Sequence, residues 1–444
     1  MIALQLSSVL LVAFLPAHAP DQRVKVISGA TLIDPGRPAP VTDAVIVIDG
    51  ARILIAGARK KVQVPDGAQQ IDAAGKFVIP GLADMHTHLW TGAFGGPGQD
   101  QGQNLRRYLS WGITLVFDPG IEPKPFAEFK KLSGPDRAAY PHFFGTGRPM
   151  SCRKGWGTFG GSGFDTIEEA RAGVRELKAA NVDAIKIVYD DMSWLSKHPM
   201  PALKREVMAA IIDQAHKQGL KVHVHAPILK WAKEALAAGA DGLAHGILSD
   251  PVDDEFIRLA KKNHAVYVST NSAFEAIADL GGWARRQSLV SPAGAIAASV
   301  FDTLMNPKTL SQWQSGWSMT PFTREHMAVL RMNLKRVFDE GIPVVIGTDA
   351  GVPGVLLGLS AHLEMALHVE AGLKPEDVLR AATVNAARMV GRENDLGSVA
   401  PGKLADLLIL DADPLVDIRN TLKIHRVIKG GVFYDPAALK RSGK

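Results

Sequence analysis

A chain of 444 residues, 46% hydrophobic and 21% charged, has ordinary globular composition and can bury a large core. Its formal charge of +5 is a mild excess, and with no Lys/Arg run or aromatic-interleaved basic stripe it argues against nucleic acid as a partner. A single cysteine, Cys152, excludes an internal disulfide framework and a thiolate metal cluster, so metal chemistry would have to rest on histidine, carboxylate or modified lysine.

The first twenty residues, MIALQLSSVLLVAFLPAHAP, carry an apolar core from Val9 to Leu15 and then Ala17-His18-Ala19, a small-x-small pattern. Residues 1–19 read as a secretory signal peptide, too short to span a bilayer, although the leading basic residues are missing and Pro20 would follow the cut. The expected location is periplasmic or secreted, with no membrane association after processing, and cytoplasmic if the leader is not a signal.

Next come VKVISGATLIDPG and DAVIVIDGARILIAG, short apolar runs broken by Gly, Pro and Asp, which are strand and hairpin signals. Matching runs, GSVAPGKLADLLILDADP and IHRVIKGGVFYD, lie near the other end. Residues 20–80 plus 396–444 are therefore expected to form one β-sandwich domain from both termini.

Between them, strand-like and helix-like stretches alternate. Candidate strands are 82–89, 114–118, 142–147, 183–189, 220–226, 242–246, 265–270 and 343–349, and amphipathic stretches such as 166–180 and 203–218 intervene. Eight strands alternating with helices predict an α/β fold, a (β/α)8 TIM barrel over 81–395. The stretch 271–339 is longer than one helix requires. With Trp283, Trp313 and Trp317 it reads as a lid or insertion at the mouth.

In GLADMHTHLW, His86 and His88 are one residue apart after an apolar run, so strand alternation puts them on one face, where two imidazoles can converge on a metal. The C-terminal ends of the other strands, where such barrels place their chemistry, add Lys186, His225, His245 and Asp349. Each alone has a bland explanation: a core histidine, a snorkelling lysine, an aspartate capping a helix. Six such polar interruptions at one end of one barrel favour a site. An ammonium at Lys186 would be repelled by a dication and is disfavoured by burial. A neutral amine can add carbon dioxide to become an anionic carbamate that bridges two metals; the alternative is a charged lysine holding a substrate carboxylate. His223 shares a face with His225 one layer deeper, and Asp84 lies below His86, both as supporting partners. Tyr189, at the rim, is a candidate substrate contact. Arg148, Arg153 and Lys154 in the loop 145–163 could attract an anion but read better as solvated charges. His142 reads as structural, and Cys152 has no assigned role.

The motifs VIPGLADMHTHL, IKIV, VHVHA, LAHG and IGTDAG, with the tail AATVNAARMVGRENDLGSVAPGKLADLLILDADP, resemble the amidohydrolase superfamily over residues 24 to 435, most closely its imidazolonepropionase-like, prolidase-like branch. The resemblance implies two divalent cations, zinc being the expected metal. His86, His88 and Asp349 would ligate one, His225 and His245 the other, and carboxylated Lys186 would bridge them. It implies hydrolysis of an amide bond in a small molecule, a dipeptide or N-acyl amino acid, by a metal-bridging hydroxide, with Asp349 moving protons. Alternatives are the same centre acting on esters, lactones or phosphotriesters, and a mononuclear deaminase of cyclic amidines, against which Lys186 argues. The oligomeric state is left open, a homo-oligomer included.

Overall fold

The computed structural model describes residues 24–89, 101–133, 138–158, 163–291, 296, 298–316 and 320–441. The leader at 1–19 and Trp317 lie outside these residues, as does part of the 145–163 loop.

The chain opens with five strands, β1 (Val24–Leu32), β2 (Val41–Asp49), β3 (Arg52–Ala58), β4 (Gln69–Asp72) and β5 (Phe77–Pro80). Alternation along β1 and β2 is apolar on both sides: Ile27, Ile46 and Ile48 join one buried cluster, and Val26, Val45 and Val47 another. Such two-sided burial requires cover on each face of the sheet.

Strand and helix then alternate: β6 (Leu82–Asp84), α1 (Gln101–Ser110), β7 (Ile113–Asp118), α2 (Pro123–Leu132), β8 (His142–Gly145), α3 (Ile167–Ala179), β9 (Ala184–Val188), α4 (Arg205–Lys217), β10 (Lys221–His225), α5 (Leu229–Ala237), β11 (Gly242–Ala244), α6 (Asp254–Lys262) and β12 (Val266–Val268). Five helices follow, α7 (Asn271–Ala278), α8 (Leu280–Val290), α9 (Ala298–Met305), α10 (Pro307–Gly316) and α11 (Thr320–Asp339), before β13 (Val344–Val345) and α12 (Leu359–Glu370). The chain closes with α13 (Pro375–Ala381), α14 (Val384–Met389), β14 (Leu407–Leu410), β15 (Ile424–Lys429), β16 (Val432–Tyr434) and α15 (Pro436–Arg441). Local chemistry sets the boundaries. Thr166 accepts from the Glu169 amide while the Glu169 carboxylate answers the Thr166 amide, a capping box that starts α3.

Every strand read between residues 82 and 349 is present in its expected order, most of them shorter than expected. β6, β7 and β8 pair in parallel, as do β9 to β13 taken in sequence. Both seams between these two sheets carry backbone hydrogen bonds. Met150 bridges Ile187, and the Met85 amide donates to the Ile346 carbonyl at 2.8 Å. Parity separates their side chains into two clusters. Ala83, Leu115, Phe117, Ala184, Val268 and Val345 form one, whereas Val116, Ile185, Ile187, Val222, Val224 and Val344 pack with the helices.

Strands from both chain ends share a single sheet, in the order β16-β15-β14-β5-β1-β2-β3 with β4 against β1. Antiparallel pairing of Leu407–Leu410 with Phe77–Pro80 makes the join. A buried charge cluster reinforces it. His142 Nε2 of β8 lies 2.8 Å from Asp406 Oδ2, and Lys429 Nζ of β15 lies 2.9 Å from His142 Nε2 and 3.3 Å from Asp406 Oδ2. His142 is thus structural, as its position implied. Asp406→Asn strands the buried Lys429 ammonium, and a loss of about 3–5 kcal/mol is expected by urea unfolding; a loss under about 1 kcal/mol would show the cluster to be incidental.

The stretch 271–339 is more integrated than an appended lid. Leu280, Trp283 and Leu304 belong to the main core, and the Trp283 indole donates to the Gly354 carbonyl at 3.0 Å.

Candidate metal centre

The ends of the parallel strands bring the singled-out side chains together. His88 Nε2 lies 3.0 Å and His86 Nε2 3.4 Å from Asp349 Oδ1, and His245 Nδ1 lies 3.8 Å from Asp349 Oδ2. The His245 ring is 4.5 Å, centroid to centroid, from both His86 and His225. One donor atom each from His86, His245 and Asp349 falls within 4.8 Å of the others. Side-chain exposure of 25% at His88 and 14% at Asp349, against 2% at His86, marks the side on which the cluster opens.

The histidine pair is not on a strand, as alternation had implied, but just past β6, which ends at Asp84. There the chain crosses toward the extension of β13: the Asp349 and Thr348 amides both donate to the His86 carbonyl. Gly347 permits this approach, because a Cβ there would sit 2.8 Å from that of His86. His245 (φ 80°), Thr270 (φ 49°) and Asp349 (φ 58°) all adopt left-handed backbone. Side chains disfavour that region, and its recurrence at three strand ends is the pattern of strain held at a functional site.

Lys186 is 4% exposed, and its Nζ has no hydrogen-bond partner among the described residues. Burial pushes its pKa down to about 7, with Asp349 and Asp118 pulling the other way. Burial, then for His86 the Lys186 charge and for His245 the His225 charge, holds both imidazoles well below the ordinary value, hence neutral and able to ligate. His88 goes the other way. Burial lowers it, but the carboxylates of Asp118 and Asp349 outweigh burial and carry it to about 10. A cation at that position would compete with this proton.

Three further residues were not singled out in the sequence. Asp190 accepts at 2.9 Å from His225 Nε2 and at 2.7 Å from the Trp194 indole, leaving His225 Nδ1 for the centre. Asp118 accepts from the Leu89 and Gly120 amides and lies 3.6 Å from His88 Nδ1. Thr270 Oγ1 lies 2.9 Å from His245 Nδ1. Asp190 had a legible signal, since an offset of four from Lys186 preserves strand parity; Thr270 had none.

The supporting residues divide. Asp84 engages neighbouring amides and hydroxyls and not the imidazole rings, accepting from the His86 amide (3.3 Å), the Thr348 amide (3.0 Å), the Thr348 hydroxyl (2.7 Å) and the Tyr108 hydroxyl (3.2 Å). Burial raises its pKa to about 7. His223 pairs in register with Lys186, packs edge-on to Phe117 at 5.6 Å, and is pushed by burial down to about 4. Tyr189 is a correction. Its offset of three from Lys186 reverses parity, so its ring packs on Trp231 and its hydroxyl donates to Glu234 of α5 at 2.5 Å, turned from the centre. The loop arginines are likewise spent on ion pairs, Arg148 with Glu176 and Arg153 with Asp165 and Glu169.

A sequence profile of the amidohydrolase family matches residues 77–433. The chain belongs to that family. An imidazolonepropionase of Geobacillus kaustophilus is 34% identical to this amidohydrolase over 411 residues, with 82% of each chain covered. A 5-methylthioadenosine/S-adenosylhomocysteine deaminase of Symbiobacterium thermophilum is 25% identical, covering 88% of this chain and 86% of its own. Among solved structures, a Xaa-Pro dipeptidase superposes with a TM-score of 0.74 at 24% identity over 93% of this chain and 100% of its own, a likeness of fold. The protein is a hydrolase of carbon–nitrogen bonds, in a family that generally uses divalent metal ions. No helix among the described residues is long and apolar enough to cross a membrane.

Proposed function

We propose that this amidohydrolase cleaves an amide bond of a dipeptide or N-acyl amino acid at a centre of two divalent cations, zinc being the expected metal. The observation that carries the reading is the buried, partnerless Lys186 Nζ, whose charge is felt by His86 and His245 and which is itself drawn toward the Asp349 carboxylate. With its pKa brought to about 7, the amine is substantially neutral at physiological pH. It can add carbon dioxide and release one proton, giving a carbamate whose two oxygens suit a bridge between cations. His86, His88 and Asp349 would hold one ion, and His225 and His245 the other. When bound, the ions supply Lewis acidity, bringing water toward a pKa of about 7 and polarising the scissile carbonyl.

The chain's own residues do the rest. Asp349, with one oxygen against His88 and His86 and the other toward His245, accepts the proton from the attacking water and passes it to the leaving nitrogen. An amine leaves poorly unless protonated. Asp190 orients His225. Hydrogen bonding at both seams of the parallel strands supports a closed (β/α)8 barrel over 81–395, with a sandwich domain of 20–80 plus 396–444 packed at its base. The leader pattern supports export.

A second reading comes from the relatives. Likeness to imidazolonepropionase and to a deaminase favours a cyclic substrate at one metal ion. Elemental analysis of protein reconstituted with zinc and bicarbonate, followed by a panel of dipeptides, N-acyl amino acids, imidazolones and cyclic amidines, separates the two. Two equivalents per chain and amide cleavage are expected. One equivalent together with turnover of cyclic substrates alone would replace this function with the second.

A further inference from the structure

Behind the centre, a second buried polar network converges on the turn between β12 and α7. Glu364 of α12 is fully buried, and both of its oxygens are used. Oε1 accepts from the Ser269 hydroxyl and the Asn271 amide, each at 2.8 Å. Oε2 accepts from the Ser272 amide at 2.6 Å and the Ser272 hydroxyl at 2.7 Å. His368, one turn further along α12, places Nε2 2.6 Å from Ser269 Oγ and 3.2 Å from Glu364 Oε1. These residue types could be mistaken for a nucleophilic triad. Ser269 is 0% exposed and gives its proton to the carboxylate, so no substrate could reach it.

The network brackets one residue without touching its side chain. Thr270 sits between Ser269 and Asn271 with φ 49°, a conformation costly for a β-branched side chain and maintained only where the surroundings over-determine it. Glu364 supplies that constraint on both sides, and the Thr270 hydroxyl lies 2.9 Å from His245 Nδ1. His245 is itself left-handed at φ 80°, so its backbone does not hold the ring in an ordinary strand orientation. Donation from Nδ1–H to the Thr270 hydroxyl oxygen leaves the lone pair on Nε2 as the one that the ring can offer to a cation.

We infer that Glu364 and His368 form a clamp that positions His245 through Thr270, setting the plane and tautomer of that imidazole. The inference rests on reading His245 as a metal ligand. The clamp reaches across 94 positions of sequence, from Thr270 to Glu364, and couples α12 to the ligand set without contributing a ligand. Glu364 and His368 are positioning residues, as is Thr270.

The test measures zinc affinity by chelator competition and the visible spectrum of the cobalt-substituted protein for wild type, Thr270→Val, Thr270→Ser, Glu364→Gln and His245→Ala, each checked for folding by circular dichroism. Thr270→Val and Glu364→Gln are expected to weaken zinc binding about 10–100-fold and to change the cobalt spectrum. Thr270→Ser, which restores the hydroxyl, stays within about threefold of wild type. Folded Thr270→Val with wild-type affinity and spectrum would overturn the clamp, as would Thr270→Ser falling as far as the valine variant. Should Glu364→Gln fail to fold, the Thr270 pair decides alone, since its near-isosteric swap leaves the Glu364 network in place. His245→Ala separates the premise: full zinc content there refutes the ligand reading itself, whereas zinc loss there with unaffected Thr270 and Glu364 variants refutes only the clamp.

Discussion

Replacing Asp349 by asparagine is expected to lower amide turnover by about 10²–10⁴ while leaving most of the bound metal in place. The amide of asparagine matches the carboxylate in shape and keeps one oxygen toward His86 and His88, which lie 3.4 and 3.0 Å from Asp349 Oδ1. It cannot take a proton from water at neutral pH. The defect should depend on the leaving group: an activated ester expels its alcohol without help and should lose far less rate than an amide. Comparing kcat on an amide and an activated ester of the same acyl group, alongside zinc content, isolates the role. Unimpaired amide turnover would remove Asp349 from proton transfer. Equal losses on both substrates would make it a ligand and nothing more.

The second large effect concerns stability and function in opposition. Lys186 titrates near 7 in the folded chain because burial penalises its charge, against an ordinary value of 10.5. Between those two pH values the unfolded chain binds more protons than the folded one. The Lys186 contribution to the stability of the metal-free protein therefore rises with pH from about 7 to about 10.5, opposed over much of that window by His88, whose raised pKa makes its own contribution fall, and below about 7 the full cost of the buried Lys186 charge is felt. Lys186→Met removes that cost. At pH 7 the metal-free variant is expected to be more stable than metal-free wild type by on the order of 4 kcal/mol, a difference that shrinks toward zero as pH approaches about 10.5. The same variant, lacking the amine that forms the carbamate, should hold at most one zinc and lose amide turnover. Urea unfolding at pH 7 and pH 10 after chelation reads the first effect, and elemental analysis reads the second. A methionine variant less stable at pH 7 would mean that Lys186 has a compensating partner in the folded state.

What the sequence by itself determined follows from a local rule. Side chains two residues apart on a strand share a face, so apolar runs ending in His, Lys or Asp pointed to five of the eight strand ends as carriers of polar groups, although His86 and His88 lie just past the end of β6. Three of those groups, His86, His88 and His245, lie around Asp349. Parity applied to Tyr189 would have turned it from the centre and brought Asp190 in, as the bond from His225 requires. That information was present and went unused.

Other features had no local trace. Thr270 and Glu364 belong to no shared period. Their relation exists only because α12 packs behind the β12 turn, where buried donors without water need an acceptor. The seams that join two parallel sheets, and the pairing of β14 with β5 that unites both chain ends, were likewise decided in three dimensions. Periodicity specifies which face a side chain occupies but not which distant strand or helix will meet that face. That choice belongs to the packing of the whole chain.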